Sequence, residues 1–485
     1  MRKILLGTTA VVSAAFGAAV ITPAAAQNAP TVRLGGSIGV YYGYINQNGA
    51  QSYPGGFNGM PANNTIVNGA PGVTNGVPVA GGGTGNFGRL GKHDILTLPS
   101  VSVIVSGKSA LGFTYGGQID LTFNTLEGNF IGGNRSGVQR STASVDEAYV
   151  FIAHPRFGQI RGGDEDGVLG GLMNSGFITN FGTGGVYGVW ENFQGRQSGN
   201  RTQQGPGQLG DNSKILYMSP QFFGFDFGVS FAPNGGSMGG NGCSSDTVTS
   251  GCDRAYAFRG ATAWAVAPAQ SAGSLARRNE YQIAARYRGT FAGVGVAGTV
   301  GYIGSGAARD LTDGTLSPTG ATRQVRTLSG LNVWQVGAQA TYLGVTVGAS
   351  YYTGDYNFFW GNSVRGDRSA HTINIGASYT AGPITVGSNF VTGLYEGGSR
   401  SMFNPATGAL VAPTPVAGAS NNLASQRRWG FSVGGNYRLA PGLDLVAEYV
   451  YHSVREQGRD LDLARPGIQS RGQSNVFIVG SRLAF

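Results

Sequence analysis

The sequence predicts an all-β chain: a transmembrane antiparallel β-barrel of 16 strands with long extracellular loops, short periplasmic turns and a third loop folded into the lumen. Three observations lead there. Apolar and polar residues alternate with period two over segments of about ten residues, the length a tilted strand needs to cross a hydrocarbon layer. These segments come in pairs joined by tight Gly- or Pro-bearing turns, and the pairs are separated by long polar connections. Glycine contributes 85 of 485 residues, 11% are aromatic and only 12% are charged, against about 25% charged in a typical soluble domain. Low charge with many aromatics suits lipid contact and not disorder.

The chain opens with a signal-like segment. Arg2 and Lys3 supply a positive end, residues 4–21 an apolar stretch, and Ala24-Ala25-Ala26 a small-residue cleavage site, so residues 1–26 read as a secretory signal peptide with Gln27 as the mature start. No later run of about 18 apolar residues exists, so no spanning helix is expected and residues 27–485 form the barrel domain.

The first strand alternates cleanly from Thr31, with Val32, Leu34, Ile38, Val40, Tyr42 and Tyr44 on one face and Arg33, Ser37 and Tyr41 on the other. A Gly/Asn/Pro-rich connection, 47–92, leads to a strand at 95–106 that Pro99 is expected to weaken. Lys108-Ser109-Ala110 is read as a tight turn into a strand at 111–125. Six further turn-linked pairs follow: 145–153 with 159–163, 214–219 with 225–231, 280–288 with 294–302, 332–342 with 345–352, 372–379 with 384–392, and 428–437 with 443–451. A closing strand, 474–485, makes the count sixteen, and both termini then fall on the short-turn side.

Face composition places lipid outside. One face carries Trp334 and Val336, or Trp429, Phe431 and Val433, and no charge; the opposite face carries Gln335 and Gln339, or Arg428 and Ser432. Alternation alone does not distinguish inside from outside. Size does, because a sixteen-stranded tube is too wide for side chains to fill and leaves an aqueous lumen. Tyr42/Tyr44, Tyr351/Tyr352 and Tyr449/Tyr451 are candidates for an interfacial aromatic girdle.

Residues 159–214 stand apart. A short strand runs directly into Asp164-Glu165-Asp166, then into a Gly- and aromatic-bearing run through Phe177, Phe181, Tyr187 and Trp190, and then a polar tract. A structureless connection this long is expected only where it has a function, and it is read as the inward loop that narrows a pore. Cys243 and Cys252 enclose eight residues and suggest a loop disulfide, contributing about 2–3 kcal/mol. A metal at this pair is the weaker reading, since no His or third Cys lies near, and the sequence calls for no cofactor.

Formal charge is +9, or +7 once Arg2 and Lys3 are removed. The excess points to weak anion affinity and, without any Lys/Arg block, away from nucleic acid. A barrel-embedded lipid hydrolase would need a nucleophile and base, and of the four histidines only His452, near Glu448 on the same face, makes a plausible pair. A secreted adhesin would show a regular repeat, which is missing.

The chain resembles the trimeric, sixteen-stranded general porins of Gram-negative bacteria. The resemblance rests on Ala148-Tyr149-Val150 followed by Phe157-Gly158-Gln159-Ile160-Arg161-x-Gly163, on Ser219-Pro220 with Phe223-Gly224-Phe225, and on the closing Phe477-x-Val479-x-x-x-Leu483-x-Phe485. It implies passive diffusion of small hydrophilic solutes across the outer membrane, a homotrimer among outer-membrane lipid and lipopolysaccharide, and Phe477, Val479, Leu483 and Phe485 as a signal read by the barrel-assembly machinery. It also implies acidic loop residues, here Asp164, Glu165 and Asp166, facing a basic wall, here Arg33, Arg161, Arg286, Arg288, Arg428, Arg438 and Arg482. The connections 47–92 and 232–278 are long for the family. A substrate-specific porin is the nearest variant, with Tyr187, Trp190, Phe358, Phe359 and Trp360 as candidates for an aromatic slide.

Overall fold

The computed structural model describes residues 30–48, 92–123, 143–193, 212–234, 278–306, 329–356, 369–396, 402–403, 410–411, 425–456 and 470–485. The expected signal peptide, most of the two longest connections, Cys243, Cys252, and Phe358 to Trp360 lie outside them. Eighteen strands are described: β1 (Thr31–Asn48), β2 (His93–Lys108), β3 (Thr114–Phe123), β4 (Ala143–His154), β5 (Gly158–Glu165), β6 (Asn212–Met218), β7 (Phe225–Asn234), β8 (Arg278–Phe291), β9 (Val294–Gly306), β10 (Asn332–Tyr342), β11 (Val345–Asp355), β12 (Ala370–Ala381), β13 (Ile384–Glu396), β14 (Met402–Phe403), β15 (Leu410–Val411), β16 (Ser425–Ala440), β17 (Leu443–Glu456) and β18 (Ser470–Ala484). β14 and β15 pair only with each other; the other sixteen close a barrel in chain order. Closure is made by β1 on β18, from Ser37 opposite Ala484 to Asn48 opposite Gln473.

The apolar face is the outer one. On β10, Trp334 and Val336 are exposed while Gln335 between them is fully buried, and on β16 Val433 is 53% exposed beside Ser432 at 0%. A water-soluble barrel would invert this pattern, burying the apolar face. The turns are built for antiparallel neighbours: Ala292-Gly293 between β8 and β9 and Leu343-Gly344 between β10 and β11 have positive φ at both positions, 48° and 81°, 47° and 83°. That geometry follows the right-handed twist of the strands it joins.

Three local expectations need correction. The turn after β2 runs from Ser109 to Phe113, closed by Ser109 N donating to Phe113 O, so Leu111 and Phe113 belong to the turn and β3 starts at Thr114. Pro99 does not interrupt β2, because the ladder with β3 begins only at Ser100 and loses no described bond to the missing N–H. Tyr351 is exposed but Tyr352 is fully buried inside, since adjacent strand residues point to opposite faces.

One departure from simple alternation concerns the inner wall. On β17 and β18, Val446, Val450, Val454, Val476 and Ile478 face inward and are buried, so this part of the wall is apolar and something covers it. The lipid-facing assignment has a direct test. Val433→Arg, at mid-strand on the outer face, is expected to destabilise the barrel by about 2–4 kcal/mol in reversible urea unfolding from lipid vesicles.

Candidate functional site: the loop inside the barrel

What covers the wall is the chain leaving β5. It enters through a π-helical turn, Val168–Leu172, and ends the described stretch in two 3-10 turns, Gly185–Tyr187 and Val189–Phe193. Between them it is irregular, so its backbone groups need partners elsewhere. The inward polar residues of successive strands supply them. Leu169 N donates to Gln282 Oε1 on β8 at 2.9 Å, and Arg286 Nη1 to Leu172 O at 2.9 Å. Thr299 on β9 donates to Met173 O at 2.6 Å, and Gln335 Nε2 on β10 to Asn174 Oδ1 at 2.8 Å. Asn389 on β13 is bidentate: its Nδ2 donates to Ile178 O at 2.9 Å and its Oδ1 accepts from Val186 N at 3.0 Å. Glu448 on β17 accepts from Thr183 N at 2.9 Å and from the Thr183 hydroxyl. The loop thus follows the wall strand by strand.

Glycines on the wall make room for its side chains. A Cβ at Gly301 would stand 2.5 Å from Leu169, at Gly376 2.7 Å from Ile178, at Gly387 2.3 Å from Phe181, and at Gly43 2.3 Å from Phe193. Each lies far inside ordinary contact distance, so a larger residue at these points would push the loop into the lumen. Val186, Trp190 and Phe193 then bury against Val450, Val476 and Ile478. Each large apolar side chain removed from water contributes about 1.5–3 kcal/mol, which holds the loop to the wall.

The expected site residues separate under this geometry. Asp164 and Glu165 are strand residues, opposite Ser213 and Asn212, and only Asp166 begins the loop; all three are buried. Glu165 pairs with Arg161 at 2.7 Å on its own strand and not across an opening. Lys214 Nζ donates to the Glu165 carbonyl. Arg286 is bidentate on Asp226, at 3.1 and 2.7 Å, and Arg288 joins the same carboxylate at 2.8 Å. Arg428 is buried in the wall, while Arg33, Arg438 and Arg482 lie near the end of the barrel that carries the short turns. Trp190 is buried against the wall with its ring 5.3 Å from that of His452, so it does not present a slide to solute. Phe477, Val479, Leu483 and Phe485 share the outer face of β18, and Phe477 and Phe485 are exposed.

The inner faces of β3, β4 and β5 present a linked polar surface. Tyr149 OH donates to Gln118 Oε1 at 3.1 Å, and Gln118 Nε2 donates to Asp120 Oδ2 at 2.8 Å. Arg161 lies 4.8 Å over the Tyr149 ring, and Asp120 stands across the ladder from Glu147. Sequence reasoning did not single out Asn389, Thr299 or Asp226. The signal available was a polar residue on an inward position beside a wall glycine, which marks where another segment approaches.

The chain folds as a closed sixteen-stranded barrel, apolar outside and polar inside, and residues 8–457 of its sequence match the model of one family, the Gram-negative porins. The chain belongs to the Gram-negative porin family. It is an outer-membrane channel protein. No curated protein matches the sequence. Among solved structures, OmpT, an outer membrane protein of Vibrio cholerae, aligns at TM-score 0.47 and 10% identity over 95% of this chain and 100% of that one. A substituted porin of Rh. blastica aligns at TM-score 0.43 and 13% identity over 94% and 100%.

The loop's anchoring in this porin can be measured. Asn389→Leu leaves Val186 N and Ile178 O without their partner, costing about 1–3 kcal/mol locally. Amide exchange at 178–190 is expected to accelerate about ten- to a hundredfold while the strands keep their protection.

Proposed function

We propose that this porin passes small hydrophilic solutes and ions by passive diffusion, through the space between the inward loop and the inner faces of β3, β4 and β5. The observation that carries this reading is the course of the loop round the wall, bonded to β8, β9, β10, β13 and β17 and packed on β1 through Phe193, with β3 and β4 outside these anchors. The loop narrows the lumen and leaves the polar Gln118–Asp120–Tyr149–Arg161 surface across from it. The protein acts without catalysis: Glu448 holds Thr183 and His452 packs on Trp190, so the two residues closest to a catalytic pair both serve the loop.

Family membership supports a homotrimer in outer-membrane lipid and lipopolysaccharide. It also supports export by a cleaved signal peptide at 1–26 and insertion guided by Phe477, Val479, Leu483 and Phe485. A Cys243–Cys252 disulfide belongs to the same reading. The +7 of the mature chain supports a weak preference for anions, with Arg161, beside the loop's origin, contributing to it.

The test is conductance of the folded mature protein in a planar bilayer under a salt gradient. Closures in three steps with an anion-favouring reversal potential are expected, and Arg161→Glu should move that potential toward cations. Folded protein that carries no current would overturn the channel reading.

A further inference from the structure

Five cationic side chains gather on the inner face at one end of the barrel. Arg33 is the third residue of β1, Lys108 the last of β2, Arg288 the fourth from the end of β8, and Arg438 and Arg482 each the third from the end of β16 and β18. All five lie where the short turns are. Their strand parity is lumenal: Arg33 shares a face with Tyr41, Lys108 with Leu96, Arg288 with Gln282, Arg438 with Ser432, and Arg482 with Ile478, and these five face-mates are all buried inside. The five cations are also wet. Arg33, Lys108 and Arg438 are exposed, and Arg288 and Arg482 half-buried.

The acids described at this end do not balance them. Asp226 is shared between Arg286 and Arg288, at 2.7 and 2.8 Å. Asp444 lies 3.7 Å from Arg438 and opposite Arg482 in the ladder. Higher in the barrel the balance reverses: Asp120, Glu147, Glu165, Glu191 and Glu448 sit on the inner wall or the loop, against Arg161, Lys214 and Arg428. Fixed charge is therefore sorted along the barrel axis as well as across it.

We propose that the basic collar of Arg33, Lys108, Arg288, Arg438 and Arg482 makes the turn-end mouth an anion-gathering vestibule, so that the pore conducts unequally in its two directions. The reason is elementary. A positively charged mouth holds a surplus of anions, and a field that drives anions inward through it enriches the less anion-rich interior in carriers. The reverse field draws anions out through the collar faster than the interior replaces them, and conductance falls. The larger current flows when the loop-end compartment is positive. This rests on the diffusion-channel reading and adds a direction to it.

The experiment is the current–voltage curve of single channels inserted in one orientation, in symmetric potassium chloride. The native protein is expected to pass about twice as much current with the loop end positive in 0.1 M salt, where charges act over about 10 Å, and nearly equal currents in 1 M, where they act over about 3 Å. In the triple variant Arg33→Glu, Lys108→Glu, Arg482→Glu the asymmetry is expected to vanish or reverse. The Gln triple variant, which adds no acid to the mouth, should at least halve the excess. A conducting pore with a symmetric curve in dilute salt overturns the inference alone, as does a native asymmetry that both triple variants retain. Folded protein without any current overturns the channel reading and this inference with it.

Discussion

Every described feature of this protein depends on one constraint: in hydrocarbon, a backbone N–H or C=O has no water to turn to. An open sheet would leave two strands of such groups bare. The chain avoids this by returning β18 to β1, and twelve consecutive residues of β1 are in register with it. Closure with sixteen strands then fixes the diameter. A tube of that width cannot be filled from its own wall, so the lumen needs either water or a further piece of chain. The loop after β5 is that piece, and it brings the same problem inside, because its irregular backbone must also be satisfied.

The wall solves it with two kinds of residue. Inward amides, hydroxyls and a carboxylate meet the loop's backbone, and inward glycines admit its side chains. The division explains why glycine is so abundant without being confined to turns: several wall strands carry one where Leu169, Ile178, Phe181 or Phe193 lands. It also explains the apolar inner face of β17 and β18. That surface is a core shared with the loop, with Val186 and Trp190 fully buried in it.

The barrel was legible in the sequence because its signal repeats. Sixteen segments of alternating residues, paired by turn chemistry, fix strand number and facing even when single boundaries slip, as at Ser109 to Phe113. The site was less legible. Asp164, Glu165 and Asp166 stand out in the sequence as a cluster, but proximity in sequence does not reveal that Arg161 and Lys214 take up Glu165 within the wall. Likewise, alternation shows that Gln282, Gln335 and Glu448 point inward but not that a loop 113 to 265 residues away is their partner. Local periodicity reports which face a residue occupies; it carries no information about what arrives at that face from elsewhere in the chain.

Those separations bear on how the molecule assembles. The wall side chains described as hydrogen-bonding the loop come from β7 onward, and Thr183 waits for Glu448, which lies 265 residues later in the chain. Contacts so distant form only after most of the loop-closure entropy between them has been paid. The loop therefore settles last, once β17 has taken its place in the wall. A barrel halted part-way leaves Val168, Phe181 and Trp190 without the surfaces that bury them. Such an intermediate displays an apolar ribbon along with its unpaired strand edges, the kind of surface that chaperones and proteases engage. The segment that lines the finished wall is thus, during biogenesis, an indicator of whether that wall is complete.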